Sequence, residues 1–137
     1  MKEAGIPVGS SSIVETDLSE EAGKRTMTRL LKHKRPPTAV IARQDVVALG
    51  AMDAVFSTGL SVPRDVSIVG LGDMWRSNAL RVPLTTLHYP FEEMANRGAR
   101  TLLRMLDGKN VPVKTEVLDV TLVQRASTAP PQSVAES

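Results

Sequence analysis

The chain has 137 residues, room for one domain of ordinary size, and its 42% apolar and 23% charged content matches soluble globular proteins. Aromatic residues make up only 3%, so a core must be built from aliphatic side chains and Met; 17 basic against 15 acidic residues leave a formal charge of +2, too even for a nucleic-acid-binding face. With no cysteine, disulfides, thiolate metal sites and cysteine nucleophiles are excluded, and no stretch approaches the roughly 18 apolar residues of a membrane span.

Met1–Gly9 lacks the apolar core of a signal peptide, which predicts a cytoplasmic location. The first helix is expected after Asp17, with Asp17 capping and Glu20 reaching back from three residues on. Ala22, Met27, Leu30 and Leu31 form its apolar face. The basic run Lys32-His33-Lys34-Arg35 reads as a solvated helix end that complements the dipole, and Pro36-Pro37 forbids continuation. Ala39–Ala42 reads as a short strand buried on both faces.

Asp45 is expected to cap a second helix running to about Thr58, with Gly59 at its carboxyl end. A strand at Val66–Val69 follows Pro63 and runs into Gly70-Leu71-Gly72-Asp73; a loop with Trp75 leads to another strand at Leu84–His88. Pro90 occupies a favourable first-turn position for a third helix, with Glu92 and Glu93 at its positive end and Gly108 as its stop. Its apolar stripe, around Met94, Leu102 and Met105, is so wide that it must be buried against something. Val117-Leu118 and Thr121–Val123 read as final short strands, and residues 129–137 as a disordered tail.

This alternation predicts an α/β fold, a three-layer sandwich with a mainly parallel sheet. Parallel strands place ligand sites at their carboxyl ends. Here those ends carry Arg43-Gln44-Asp45 and Leu71-Gly72-Asp73. Other chemistries have little support. Gly70-Leu71-Gly72 starts a dinucleotide-type loop, but Trp75 stands where the third glycine belongs. His33 and His88 have no ligand-spaced partner, so no metal is expected. No nucleophile elbow surrounds Ser10-Ser11-Ser12, and no paired acid–base constellation is visible, so neither catalytic residues nor a cofactor are expected.

Several segments carry a likeness. Pro37-Thr38-Ala39-Val40, Asp45–Ala51, Gly59–Gly70, Pro83-Leu84-Thr85-Thr86 and the closing Arg125-Ala126-Ser127-Thr128 together resemble the lactose-repressor/galactose-repressor (LacI/GalR) family of bacterial transcriptional regulators. Glu3–Pro7 and Asp17-Leu18-Ser19 fit as well, so the resemblance spans about residues 3 to 128. It implies one lobe of a periplasmic-binding-protein-like type I fold, with residues 1–128 forming part of an effector-binding domain. Residues 1–88 and 111–125 would belong to the second lobe and the helix at 90–107 to a first lobe that this chain lacks, as it lacks a helix-turn-helix headpiece.

The family's pattern points to Leu18, Gln44, Gly72 and Asp73 as effector contacts, with Leu49 and Leu80 meeting across a homodimer. Gln44 stands where members usually have Asn, and Gly72 where they commonly carry a carboxylate. A charge-assisted hydrogen bond is worth about 1.5–3 kcal/mol, so that loss would weaken polyol binding by about one to two decades. Asp73 as a turn cap, Gln44 as solvent-facing and Leu49 and Leu80 as ordinary core are the plain structural alternatives; Trp75 is either a sugar platform or an apolar interface residue. The partner implied is a small-molecule effector, a carbohydrate above all, bound only by a complete two-lobed domain, with DNA reached only through a headpiece. The competing readings are a sugar-binding protein of a transport system and a remnant without ligand function.

Overall fold

In a computed structural model, which describes residues 9, 12–112 and 114–131, the elements follow the order α1 (Glu20–Leu31), β1 (Ala39–Ile41), α2 (Asp45–Ser57), β2 (Ser67–Leu71), β3 (Thr85–His88), α3 (Phe91–Leu106) and β4 (Thr121–Val123). A 3-10 turn at Trp75–Asn78 lies between β2 and β3. The strands form one sheet in the order β1-β2-β3-β4, parallel except for the last pair. The α/β class and mainly parallel sheet are as expected.

Ser19, not Asp17, caps α1: its hydroxyl accepts from the Ala22 amide at 3.1 Å, because a serine at the last extended position reaches the free N–H three residues on. Similarly, Gln44 is the cap residue of α2, without a side-chain cap bond, and Asp45 is already helical. Gly59 closes α2 with φ of 79°, as expected of a residue free of Cβ strain.

The core is aliphatic, as composition required. Met27, Val47, Ala51, Met52 and Val55 from the helices meet Val62, Val66, Ile68 and Leu84 from the sheet and its loops. Helix α2 lies on β2, and α1 packs on α2. The two helices touch backbone to backbone at buried glycines: a Cβ at Gly50 would overlap the Glu20 carbonyl, and one at Gly23 the Val47 carbonyl.

Three expectations are corrected. β1 is not buried on both faces. It is an edge strand, and Ile41 is 72% exposed because the described residues put no second helical layer over that face. Val117-Leu118 forms no strand; Val117 is 86% exposed, and only Thr121–Val123 finds a partner, antiparallel to β3. Ala129, assigned to the tail, is tied to Ser67: its amide donates to the Ser67 hydroxyl, which donates back to its carbonyl. Residues 132–137 of that tail, and Glu3–Pro7 of the likeness, lie outside the described residues.

Helix α3 forms as expected but, among the described residues, contributes nothing to the core. None of its 16 residues is buried, and Leu102, Leu103 and Leu106 stand in the open. Among the described residues its ion pair to another segment runs from Arg97 to Glu116, and Arg97 also pairs with Glu93 within the helix.

Candidate functional site

The carboxyl ends of β1 and β2 bring the expected positions to one edge of the sheet. Gln44 follows β1 and is exposed at the amino end of α2. Gly72 follows β2 with φ of 125°, a conformation open to glycine and strained for any residue with a Cβ. A carboxylate at that position would therefore require this backbone to change. Leu18 sits just before α1 and is 45% exposed.

Asp73 is engaged. Its Oδ1 accepts from Arg125 at 2.6 Å, and its Oδ2 lies 3.0 Å from His88 Nδ1. Burial alone would push this carboxyl up, but the hydrogen bonds from Arg125 and His88 outweigh it and hold Asp73 below the usual carboxylate value of 3.8. It is ionised at neutral pH, and much of its acceptor capacity is spent within the fold.

Gly72, Asp73 and His88 line an open concavity of about 680 Å³ together with residues of α3 between Phe91 and Arg100, among them Glu93 and Arg97. Leu18 and Gln44 do not line it. Of the candidate contacts, Gly72 and Asp73 share this concavity, Gln44 follows β1 at the start of α2 and Leu18 precedes α1, and the described residues build no enclosed chamber around them. Among the described residues no three His, Asp or Glu side chains converge as a metal site.

The dimer candidates divide. Leu49 is 6% exposed, packed within α2's buried face, whereas Leu80 is only partly buried against the core. Beside Leu80, Arg81 stacks over the Phe56 ring at 5.8 Å.

Sequence reasoning missed what holds the site together. Asp45, expected to cap α2, is instead fully buried and accepts from the hydroxyls of Thr86 and Ser77, each at 2.6 Å, and from the Met74 amide at 2.8 Å. Gly70 makes room for it, since a Cβ there would overlap the carboxylate. The closing Arg125–Thr128 segment is a clasp. Arg125 also donates to the Leu84 carbonyl at 2.8 Å, Ser127 Oγ donates to the Ile68 carbonyl, and the Thr85 amide donates to Ser127 Oγ, so the segment stitches β2 to β3. An Asp directly after an apolar strand was a visible signal for the first; its partners, 29 to 41 residues away, were not.

Residues 1–128 match the model of the periplasmic binding protein-like domain. The chain is 38% identical over 130 residues to the HTH-type transcriptional regulator DegA of Bacillus subtilis, covering 95% of this chain and 38% of DegA. Among solved structures, it resembles a regulatory protein of LacI family from Chloroflexus aggregans with TM-score 0.85 and 28% identity, covering 94% of this chain and 47% of that one. It is also similar to a LacI family transcriptional regulator from Lactobacillus casei with bound sucrose, with TM-score 0.82 and 25% identity, covering 93% of this chain and 47% of that one. The chain thus spans well under half the length of the regulator it matches and about half of the two solved structures.

Proposed function

Because this chain belongs to the periplasmic binding protein-like domain family, in the form carried by LacI/GalR transcriptional regulators, we propose that it is the effector-sensing and dimerisation portion of such a regulator, non-catalytic and cytoplasmic. The observation that carries this reading is the open sheet edge facing an unpacked helix. Loop positions at the ends of parallel strands are suited to meet a ligand, yet here the concavity beside Gly72 and Asp73 is open and is walled opposite only by the unburied helix α3. In this reading residues 1–88 and 111–125 form one lobe. Helix α3, with an apolar stripe and no buried residue, belongs to the other. Leu18, Gln44, Gly72 and Asp73 face the effector, and Leu49 and Leu80 lie toward a second copy.

The effector is a small molecule of the polyol kind, consistent with the sucrose bound by the Lactobacillus casei relative. Operator binding would be the work of a separate headpiece. A transport role for the same fold is disfavoured by the matches to regulators. The reading predicts that any recognition by this chain alone is weak and localised: shifts induced by sucrose or ribose at millimolar concentration should fall on the backbone amides of Gln44, Gly72 and Asp73 and spare those near Phe56 and Arg81. Shifts confined to the Phe56–Arg81 end, or saturation at micromolar sugar, would refute it.

A further inference from the structure

Among the described residues, Asp45 is the only charged side chain with no solvent exposure, and the two hydroxyls that it binds, on Thr86 and Ser77, are equally buried. A buried carboxylate needs several strong donors to offset its lost hydration, and the three that it has come from two separate regions. Thr86 lies on β3, and its Oγ1 also accepts from the Asp73 amide at 3.3 Å, so this branch runs to the Gly72–Asp73 edge. Met74 and Ser77 belong to the 3-10 turn and its entry; the Ser77 carbonyl accepts from the Leu84 amide at 2.8 Å, which frames the segment bearing Leu80. Asp45 itself is in the first turn of α2, next to Gln44 and one helical turn before Leu49.

We infer that Asp45 is a positioning residue that holds the effector edge and the dimer-side turn in one hydrogen-bonded frame. A displacement of either branch is transmitted to the other through the same carboxylate, because it is wholly buried and both branches end on it. Gly70 belongs to this device, since only a residue without Cβ leaves the carboxylate its place. The inference rests on the reading above for which edge meets effector and which meets a second copy, but the frame can be tested without any effector.

Trp75, the sole tryptophan, is 82% exposed on the turn between the two Asp45 donors Met74 and Ser77 and reports on that turn. In the full chain, Thr86→Val removes the effector-side branch while leaving both turn donors in place. It should enlarge the fast component of the Trp75 anisotropy decay and speed amide exchange at Ala79 by about tenfold, with exchange at Ile68 in the sheet unchanged. Ser77→Ala should reciprocally speed exchange at Asp73. With Asp45→Asn already present, Thr86→Val should add nothing further at Trp75, which separates transmission through the carboxylate from a general loss of packing.

If Trp75 and Ala79 ignore Thr86→Val, or if every amide including Ile68 accelerates together, Asp45 is a structural anchor only and the inference fails. Should Asp45→Asn not fold, the two single-hydroxyl variants decide alone. Sugar shifts confined to the Phe56–Arg81 end of the wild-type chain would count against the effector reading instead, whatever the exchange pattern shows.

Discussion

At the scale of single residues, the site's electrostatics are set by one ion pair with a third member. Asp73 and Arg125 are both mostly buried and lie 2.6 Å apart, so their attraction is screened less than that of the surface pairs on α3. The Asp73 carboxyl titrates below its usual 3.8 in the fold. A depressed acid stabilises the fold fully above its unfolded value, and that contribution disappears as pH falls from about 3.8 through the lower folded value. Asp73→Asn should therefore cost about 1–2 kcal/mol at neutral pH, with the deficit shrinking toward zero in the acid limb of a urea-denaturation series. A deficit that stayed constant down to the lowest pH would mean that shape, not charge, matters at this position. What the sequence disclosed here was the acidic residue after a strand; that Arg125 and His88 would occupy it depended on a clasp 52 residues further on.

At the scale of elements, local chemistry was legible and pairing was not. Gly108 follows the end of α3 with the positive φ expected there, whereas α1 stops at Leu31, several residues before Pro36-Pro37 could block it. The cap of α1 was misplaced by two residues because Asp17 and Ser19 are both competent caps, and only the backbone path selects Ser19. Val117-Leu118 has strand-forming residues but no neighbour to pair with. The close approach of α1 and α2 was likewise invisible, since Gly23 and Gly50 look like weak points in helices. Gly50→Ala gains about 1 kcal/mol in helix propensity but drives a methyl into the α1 backbone, where the Lys24 amide would lie 2.7 Å away. Overpacking of about 2–4 kcal/mol should win, for a net loss of about 1–3 kcal/mol in chemical denaturation; a stabilised variant would show that the helices separate easily.

Helix α3 offers the complementary test. Sixteen residues without a packed face are marginal as an isolated helix. In the monomeric chain its amides, apart from those near the Arg97–Glu93 and Arg97–Glu116 pairs, should exchange about as fast as those of an unprotected peptide, while α2 is protected. Strong protection of α3 in a proven monomer would leave its apolar stripe without an explanation.

At the scale of the whole molecule, the alternation of strands and helices announced the parallel sheet. The wide stripe on α3 announced that its partner surface is not supplied by the described residues. The chain aligns with under half of DegA and about half of the two solved structures, and its concavity beside Gly72 and Asp73 is open. The concavity beside Gly72 and Asp73 has the polar groups to touch a sugar but not the walls to exclude water from it, and affinity for small polar ligands depends on burying most of their surface. Isothermal titration of the isolated chain with sucrose and with ribose is the most direct measurement. A two-sided site of which this chain supplies one face predicts dissociation constants no tighter than millimolar for both sugars; micromolar binding to the chain by itself would contradict it.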